Sequence, residues 1–423
     1  MTRTAPTRSP RLRRALGLPA TRGHGRFVTG NLVDSLGNGM LLPLGLLYFT
    51  TLRDLPLAAV GAAVTVGQLA ALPVVFAAGR FMDRHGPRRL TVVANVVSAA
   101  GFLSFLLADR PWQIAGAYLL VQSGVNAYYT AQRTLILHAA PATETRSWFA
   151  FTGSLRNIGI GAGALLAAGA LALFGTTALT WLVVAAAPLY LLAALCFARV
   201  RTTPPPETAG EKPPGEDRTA RKGPGSADMR RYLLLVGCNV PFVLSQAMLS
   251  VLIAVYATQT LGLPAWSASI LLVVNTAMVS TLTSPLTAHV APKQARHTLA
   301  VGHALLVCAM LAFAAPAVPE ADVPAWPALA LAIVLFSLAE ILYSPAVSEL
   351  SVTLTPNAAR GSRQSLYQLS WASGNIAAPA LFTGLLDAHA LLPWAVQGTA
   401  CLMALAAIPA LKSPAPQGGR RHG

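Results

Sequence analysis

Charge is scarce in this sequence. Asp, Glu, Lys and Arg together make up 11% of its 423 residues, where a soluble domain carries roughly 25%. Hydrophobic residues reach 54%, more than a soluble fold of this size can cover, so lipid must be the solvent for most of the chain. Cysteine is equally sparse. Cys196, Cys238, Cys308 and Cys401 each fall inside an apolar run, with neither a metal-ligand spacing nor a disulfide framework, and are expected as small core residues. A Walker-type glycine loop is lacking, and no His/Cys/Asp/Glu cluster has metal spacing. An ATP-driven pump, an enzyme and a metal site are therefore not expected, and no cofactor is implied. Gly161-Ala162-Gly163 lies within an apolar run and reads as close helix packing, not as a dinucleotide fingerprint.

Acids are outnumbered, 15 against 31 Lys and Arg, which leaves a net charge of +16. The basic residues sit in links and tails and form no stripe, so nucleic acid is excluded as the partner and the bilayer takes its place. Twelve apolar segments are present, at roughly 27–49, 57–80, 90–108, 112–136, 148–173, 177–198, 232–258, 266–288, 298–316, 325–347, 364–386 and 391–411. In lipid, segments of about 20 residues must be helices, because an isolated strand leaves its backbone unsatisfied. With the N-terminus inside, inward segments hold 28 of the 31 Lys and Arg residues; only Arg53 and Arg110 lie in outward links, and Arg156 falls within the fifth span. That asymmetry predicts cytoplasmic termini.

The division of the chain follows. Residues 1–26 read as a basic cytoplasmic tail; the apolar run that follows is too long for the h-region of a signal and lacks a small-residue cleavage site, so it reads as a retained first span. Two six-helix halves, 27–198 and 232–411, flank a linker at 199–231 in which Pro204-Pro205-Pro206, Pro213-Pro214 and mixed charge predict disorder. Residues 412–423 form a second cytoplasmic tail. Asn31, Tyr48, Thr50 and Pro56 recur as Asn239, Tyr256, Thr258 and Pro264 at a constant offset of 208, the mark of an internal duplication.

Between the second and third spans lies Gly79-Arg80-Phe81-Met82-Asp83-Arg84-His85-Gly86-Pro87-Arg88-Arg89, read as a charged turn. Gly79, Asp83, Arg84, Gly86, Arg88 and Arg89 match the pattern G-x-x-x-D-R-x-G-R-R. The chain thereby resembles the major facilitator superfamily, and within it the drug/proton antiporter-like members with twelve spans. The resemblance implies an all-α membrane protein of two pseudo-symmetric six-helix bundles, with the first, fourth, seventh and tenth spans around a central cavity. It further implies that Asp83 faces the N-terminus of the eleventh helix as part of a cytoplasmic gate, with Arg133 as a candidate partner. In the fifth span Gly159, Gly163, Ala164, Ala167 and Ala168 fill the slots of the antiporters' motif G-x-x-x-G-P-x-x-G-G with small residues, without its proline and its two final glycines.

Ionisable side chains at bilayer depth are costly, several kcal/mol apiece unless paired or wetted, and so are candidates for function. Asp34 in the first span, Arg156 in the fifth and Glu340 in the tenth each sit about 10–12 Å from the inner end of their helices at 1.5 Å per residue. Asn31, Asp34 and Asn38 share one helical face; Gln122 and Asn126, Gln246, and Gln368 with Trp371 and Asn375 extend polar stripes on the fourth, seventh and eleventh spans. Asp34 reads either as a proton-titrating group, its charge set by burial against a neighbouring Arg156, or as half of a static ion pair with that arginine. Glu340 reads as a binder of a cationic substrate or proton, or as a neutral cap on a polar pocket, and Glu349 as a solvated or loop-paired charge near the inner surface. His303 is expected to bond a neighbouring helix.

The function expected is secondary transport by alternating access in a bacterial inner membrane, by a monomer. Its preferred form is proton-coupled efflux of a small hydrophobic or amphipathic molecule. The alternatives are a proton symporter importing a sugar, amino acid or other nutrient, and a non-transporting receptor or scaffold.

Overall fold

Thirteen helices carry the chain in the computed structural model, which describes residues 18–141, 144–202, 226–264, 266–289, 295–318, 322–355 and 360–411. In order they are α1 (Gly25–Leu52), α2 (Leu57–Ala70), α3 (Leu72–His85), α4 (Pro87–Phe105), α5 (Pro111–Ala139), α6 (Thr145–Phe174), α7 (Ala178–Ala198), α8 (Ser226–Val255), α9 (Trp266–His289), α10 (Ala295–Ala314), α11 (Ala325–Thr353), α12 (Arg360–Ala388) and α13 (Leu392–Ala407). Helices α2 and α3 together make the second span, interrupted at Ala71 where Pro73 enters the next first turn. The remaining eleven helices are one span each. Most of the expected linker (203–225), most of the first tail (1–17), all of the last (412–423) and the core of the second-half counterpart of the arginine-rich turn (290–294) lie outside the described residues.

Among the described residues, seven helical stretches are long and apolar enough by composition to cross a membrane, one of them, Thr145–Ala198, holding two spans. Helices α1, α4, α5 and α12 are not among these. Each carries a polar row: Asn31, Asp34 and Asn38 on α1, Arg88, Arg89 and Asn95 on α4, Gln122, Asn126 and Arg133 on α5, and Gln364, Gln368 and Asn375 on α12. At hydrocarbon depth such side chains must turn inward, as the buried Asn31, Asp34, Asn95 and Asn126 do; Arg88 and Arg89 stay exposed at the charged end of α4.

The two bundles repeat one packing scheme. In the first, α1 packs on α6 and α7, α4 on α5 and α7, and α2 on α5; in the second, α8 packs on α12 and α13, α10 on α11 and α13, and α9 on α11. The duplicated tyrosines take equivalent places. Tyr48 packs toward Phe105 with ring centroids 6.4 Å apart, and the Tyr256 hydroxyl donates to the carbonyl of Phe313 at 2.6 Å; Phe105 and Phe313 are again 208 residues apart (313 − 105).

Two expectations need correction. The stretch 79–89 is almost entirely helical: α3 runs to His85, whose last turn, with Arg84, suits the negative end of the helix dipole. Only Gly86, at φ +82°, breaks the backbone before Pro87 opens α4. Second, the cysteines are free, but Cys308 is exposed and Cys196 only half-buried, so just Cys238 and Cys401 are core residues. Helix α1 is continuous, and its Gly39 is needed for contact: a Cβ there would stand 2.1 Å from the Ile160 carbonyl oxygen, and one on Gly163 would stand 2.2 Å from that of Leu36.

Gly163→Val is expected to split the α1–α6 crossing and lower stability by about 1–3 kcal/mol or more. Gly161→Ala, where a new Cβ meets nothing within 4 Å, is expected to be silent. Thermal unfolding in detergent followed by size-exclusion chromatography compares the two; equal melting points would contradict the close crossing.

Candidate functional site

The bundles meet chiefly through α3 with α12, α6 with α9 and α11, and α5 with α12. At the arginine-rich end this contact is backbone on backbone. A Cβ added to Gly361 would lie 2.0 Å from the Gly79 carbonyl oxygen, and one on Gly79 would collide with Ser365 and Gly361, so the two glycines permit the crossing. Asp83 then accepts hydrogen bonds from the Gly361 backbone N–H and from the Ser362 N–H at 3.1 Å and hydroxyl at 3.3 Å. It thus caps, from the other bundle, the free amides and positive dipole end of α12. Ser365 adds a bond to the Val75 carbonyl at 2.8 Å.

Arg133 is not the partner of Asp83. Its guanidinium donates to the Tyr129 carbonyl at 2.9 Å and to Gln368 Oε1 at 3.4 Å and lies 4.3 Å from the Tyr367 ring centroid. It sits above the latch, between bundles, because the α5 face that carries it also carries Asn126. Gln368 Nε2 completes the clasp on Asn126 Oδ1 at 3.3 Å. Glu349, expected as a solvated or loop-paired charge, is paired, with a residue in the first turn of α6. Its carboxylate lies 3.7 Å from Arg146 Nε, and Arg146 donates to Thr298 at 3.1 Å, a second tie from α6 to α11 and α10. Sequence spacing gives no hint of that pair, whose members are 203 residues apart (349 − 146).

Above these contacts is a cavity of about 520 Å³, within the usual range for small-molecule sites. Its wall takes Asn38 from α1, Gln68 from α2, Gln122, Asn126, Tyr129 and Arg133 from α5, Arg156 and Ile160 from α6, and Gln368, Trp371 and Asn375 from α12. The seventh and tenth spans supply none of the lining residues, contrary to the expected four-helix lining. Their polar side chains turn to neighbouring helices instead: Asn239 of α8 donates to Ser370 of α12 at 3.1 Å, Gln397 of α13 donates to Ser245 of α8 at 2.7 Å, and Ser337 and Glu340 of α11 face α9. Asn275 of α9 donates to Ser337 at 3.0 Å and to Glu340 at 3.2 Å, and Gln246 lies beside the same carboxylate. Asn275, the lone amide in the apolar run of α9, was the available clue to this partner.

Asp34 is 5% exposed and stands behind the wall, among the hydroxyls of Tyr128 and Tyr190. Asn31 is structural: its amide donates to the Phe27 carbonyl at 2.8 Å and its oxygen accepts from Tyr128 at 2.8 Å and Gln132 at 2.7 Å, which pins α1 to α5. Among the described residues, the ion pairs within 4 Å are Arg53–Asp109 and Arg146–Glu349; Asp34 and Arg156 do not form one. Arg156 instead lies over the Tyr129 ring, 5.6 Å from its centroid, while Tyr129 takes a hydrogen bond from Asn38 at 3.1 Å. His303 bridges α10 to the Cys238 carbonyl of α8 at 3.1 Å, as expected of a helix tie.

Removing the Asp83 carboxylate as Asp83→Ala is expected to weaken closure at the arginine-rich end by about 1 kcal/mol, discounted for solvent exposure, several-fold in population. Spin-label distances between the ends of α3 and α12 should lengthen; an unchanged distribution would remove the latch.

Comparison with known proteins agrees with this geometry. Multidrug resistance protein MdtG of Enterobacter lignolyticus (strain SCF1) is 28% identical over 155 residues, 35% of this chain and 36% of that protein; its counterpart in Dickeya zeae (strain Ech586) is 29% identical over the same length, 37% of that protein. The chain therefore spans little more than a third of the relatives it matches. Among solved structures, the human organic anion transporter MFSD10 (TETRAN) superposes with a TM-score of 0.69 at 16% identity, over 95% of this chain and 100% of that one. A bacterial homologue of the iron transporter ferroportin, in its outward-facing state, gives 0.71 at 16% identity, over 92% and 98%. At such identities the likeness concerns the fold alone. The family model described as Major Facilitator Superfamily matches residues 27–379, and with twelve spans in two repeated bundles around a polar cavity, the chain belongs to that superfamily of transporters.

Proposed function

We propose that the protein is a proton-coupled exporter of small amphipathic molecules, working as a monomer in the bacterial inner membrane with its arginine-rich end in the cytoplasm. The observation that carries this reading is the relation of Asp34 to the cavity. The acid is buried, stands behind the wall and, among the described residues, makes no ion pair within 4 Å; Arg156 acts on it through space without contact, which leaves its proton occupancy able to change as the bundles rock. A carboxylate locked in a static salt bridge would lack that freedom. The latch of Asp83 on α12 and the Arg146–Glu349 tie hold the cytoplasmic end closed, which fits a cavity accessible from outside; opening must break both ties, the rigid-body rocking expected of alternating access. The polar and aromatic wall, with Tyr129 and Trp371 beside aliphatic Val64, Val125 and Ile160, suits a molecule with one polar and one apolar part. Export is supported by the multidrug resistance relatives.

The test uses everted membrane vesicles carrying an imposed pH gradient, acid inside. Substrate accumulation that collapses with the gradient is expected for the native chain. Asp34→Asn, expressed to the same level, is expected to abolish gradient-driven accumulation while leaving equilibrative exchange. Accumulation by right-side-out vesicles, with protons and solute entering together, would instead identify an importer, and no movement of any solute would identify a receptor or scaffold.

A further inference from the structure

The cavity has an unmet hydrogen-bonding demand of one kind. Among its lining residues, the buried polar atoms without a partner are Arg156 Nε, Asn126 Nδ2 and Trp371 Nε1. Arginine and the indole N–H can only donate. The amide of Asn126 is fixed by its neighbours: Arg133 must donate, so Gln368 turns its oxygen to Arg133 and its nitrogen to Asn126 Oδ1, and the nitrogen of Asn126 is left over. Asn126 is 1% exposed, so bulk water does not satisfy it. All three orphans are therefore donors.

The charges agree with the donors. The charged residues of the wall are Arg133 and Arg156, both cations; Asp34 and Glu340 stand outside it. Arg133 is occupied by Tyr129, Gln368 and the Tyr367 ring. Arg156 makes no hydrogen bond or ion pair within 4 Å to a described residue. It is half-buried over the Tyr129 ring, and Asp34 and Glu340 feel its charge through space without contact. Of the remaining wall amides, Asn38 and Asn375 spend their nitrogens on the Tyr129 hydroxyl and the Trp371 carbonyl, while Gln68 and Gln122 are partly open to the cavity. A guanidinium with donors to spare and no acid in contact favours an acceptor-rich negative group as the ligand that completes this site.

We propose that the cavity binds organic anions, a carboxylate or sulfonate carried on an aromatic or aliphatic body, with Arg156 as the anion-binding residue and Asn126 and Trp371 as supporting donors. The body lies against Tyr129, Trp371 and Ile160. This deepens the transport reading and rests on it only for the purpose of the site, because binding itself is measured without transport.

The experiment is isothermal titration of the purified full chain with three probes of one shape: naphthalene-2-sulfonate, 2-naphthol and 2-naphthylmethylammonium. The sulfonate is expected to bind at least about tenfold more tightly than the cation, the scale of one hydrogen bond to a charged group. Arg156→Gln should lower sulfonate affinity by about tenfold or more and leave the cation unchanged or improved. Arg156→Lys, which keeps the charge but not the Nε donor, should fall between and guards against loss of fold, as does an unchanged melting point. Equal or tighter binding of the cation, or sulfonate affinity indifferent to both substitutions, would overturn the proposal. Sulfonate binding by a protein that moves no solute in vesicles would preserve the anion site and refute transport; proton-driven export of cations alone would do the reverse.

Discussion

A guanidinium at bilayer depth has to be answered by something, and among the described residues Arg156 has the face of Tyr129 beside it and no ion pair. Asp34 and Glu340 feel its charge through space, yet neither comes within pairing distance. The polar groups around the cavity divide along that gap. Asp34 is kept one layer back by the Tyr128 and Tyr190 hydroxyls, Glu340 is held on the far side by Asn275, and Arg133, the other cation, is consumed by contacts that join the bundles. The low dielectric that makes an unpaired charge costly also makes a binding partner's charge effective there, so the imbalance serves binding better than it serves stability.

Two kinds of contact hold the bundles in the arrangement that leaves this cavity. Tight crossings through glycine, at Gly79 with Gly361, bring backbones together and have no adjustable part. The polar ties that surround them, from Asp83 to the first amides of α12 and from Arg146 to Glu349, are strong only in this geometry and have water as an alternative partner once the ends separate. Such a pairing is suited to a two-state element: the steric contact defines one closed position, and exchangeable hydrogen bonds set how often it is occupied. Within each bundle the glycine crossings, as at Gly39 and Gly163 between α1 and α6, are joined by buried polar ties such as Asn31 with Tyr128 and Asn275 with Glu340, which have no bulk water to replace them. Each bundle is thereby tied within itself more firmly than to the other.

Much of this was legible from the order of residues. Apolar runs of the right length, the skew of arginine to alternate links and the offset of 208 between Tyr48 and Tyr256 gave the spans, the two halves and the family. The polar rows on α1, α5 and α12 fall on helices that line the cavity, whereas Gln246 on α8 does not, and α2 and α6 line it as well. The reading also failed on partners. Glu349 looks solvated or paired to a loop from its position near a helix end, and Arg133 looks available to Asp83; which groups touch depends on the angle and depth at which two helices from different bundles cross.

By itself the sequence determined the solvent of each helix and the face it must bury, since these follow from periodicity and from the cost of leaving backbone or charge in hydrocarbon. Only the tertiary structure decided which charges meet. An ionisable residue in a span is bound to seek company, yet Asp34, Arg156 and Glu340 lie on three helices of two bundles. A rotation of any one helix by a fraction of a turn decides whether it finds an acid, a tyrosine or an empty cavity.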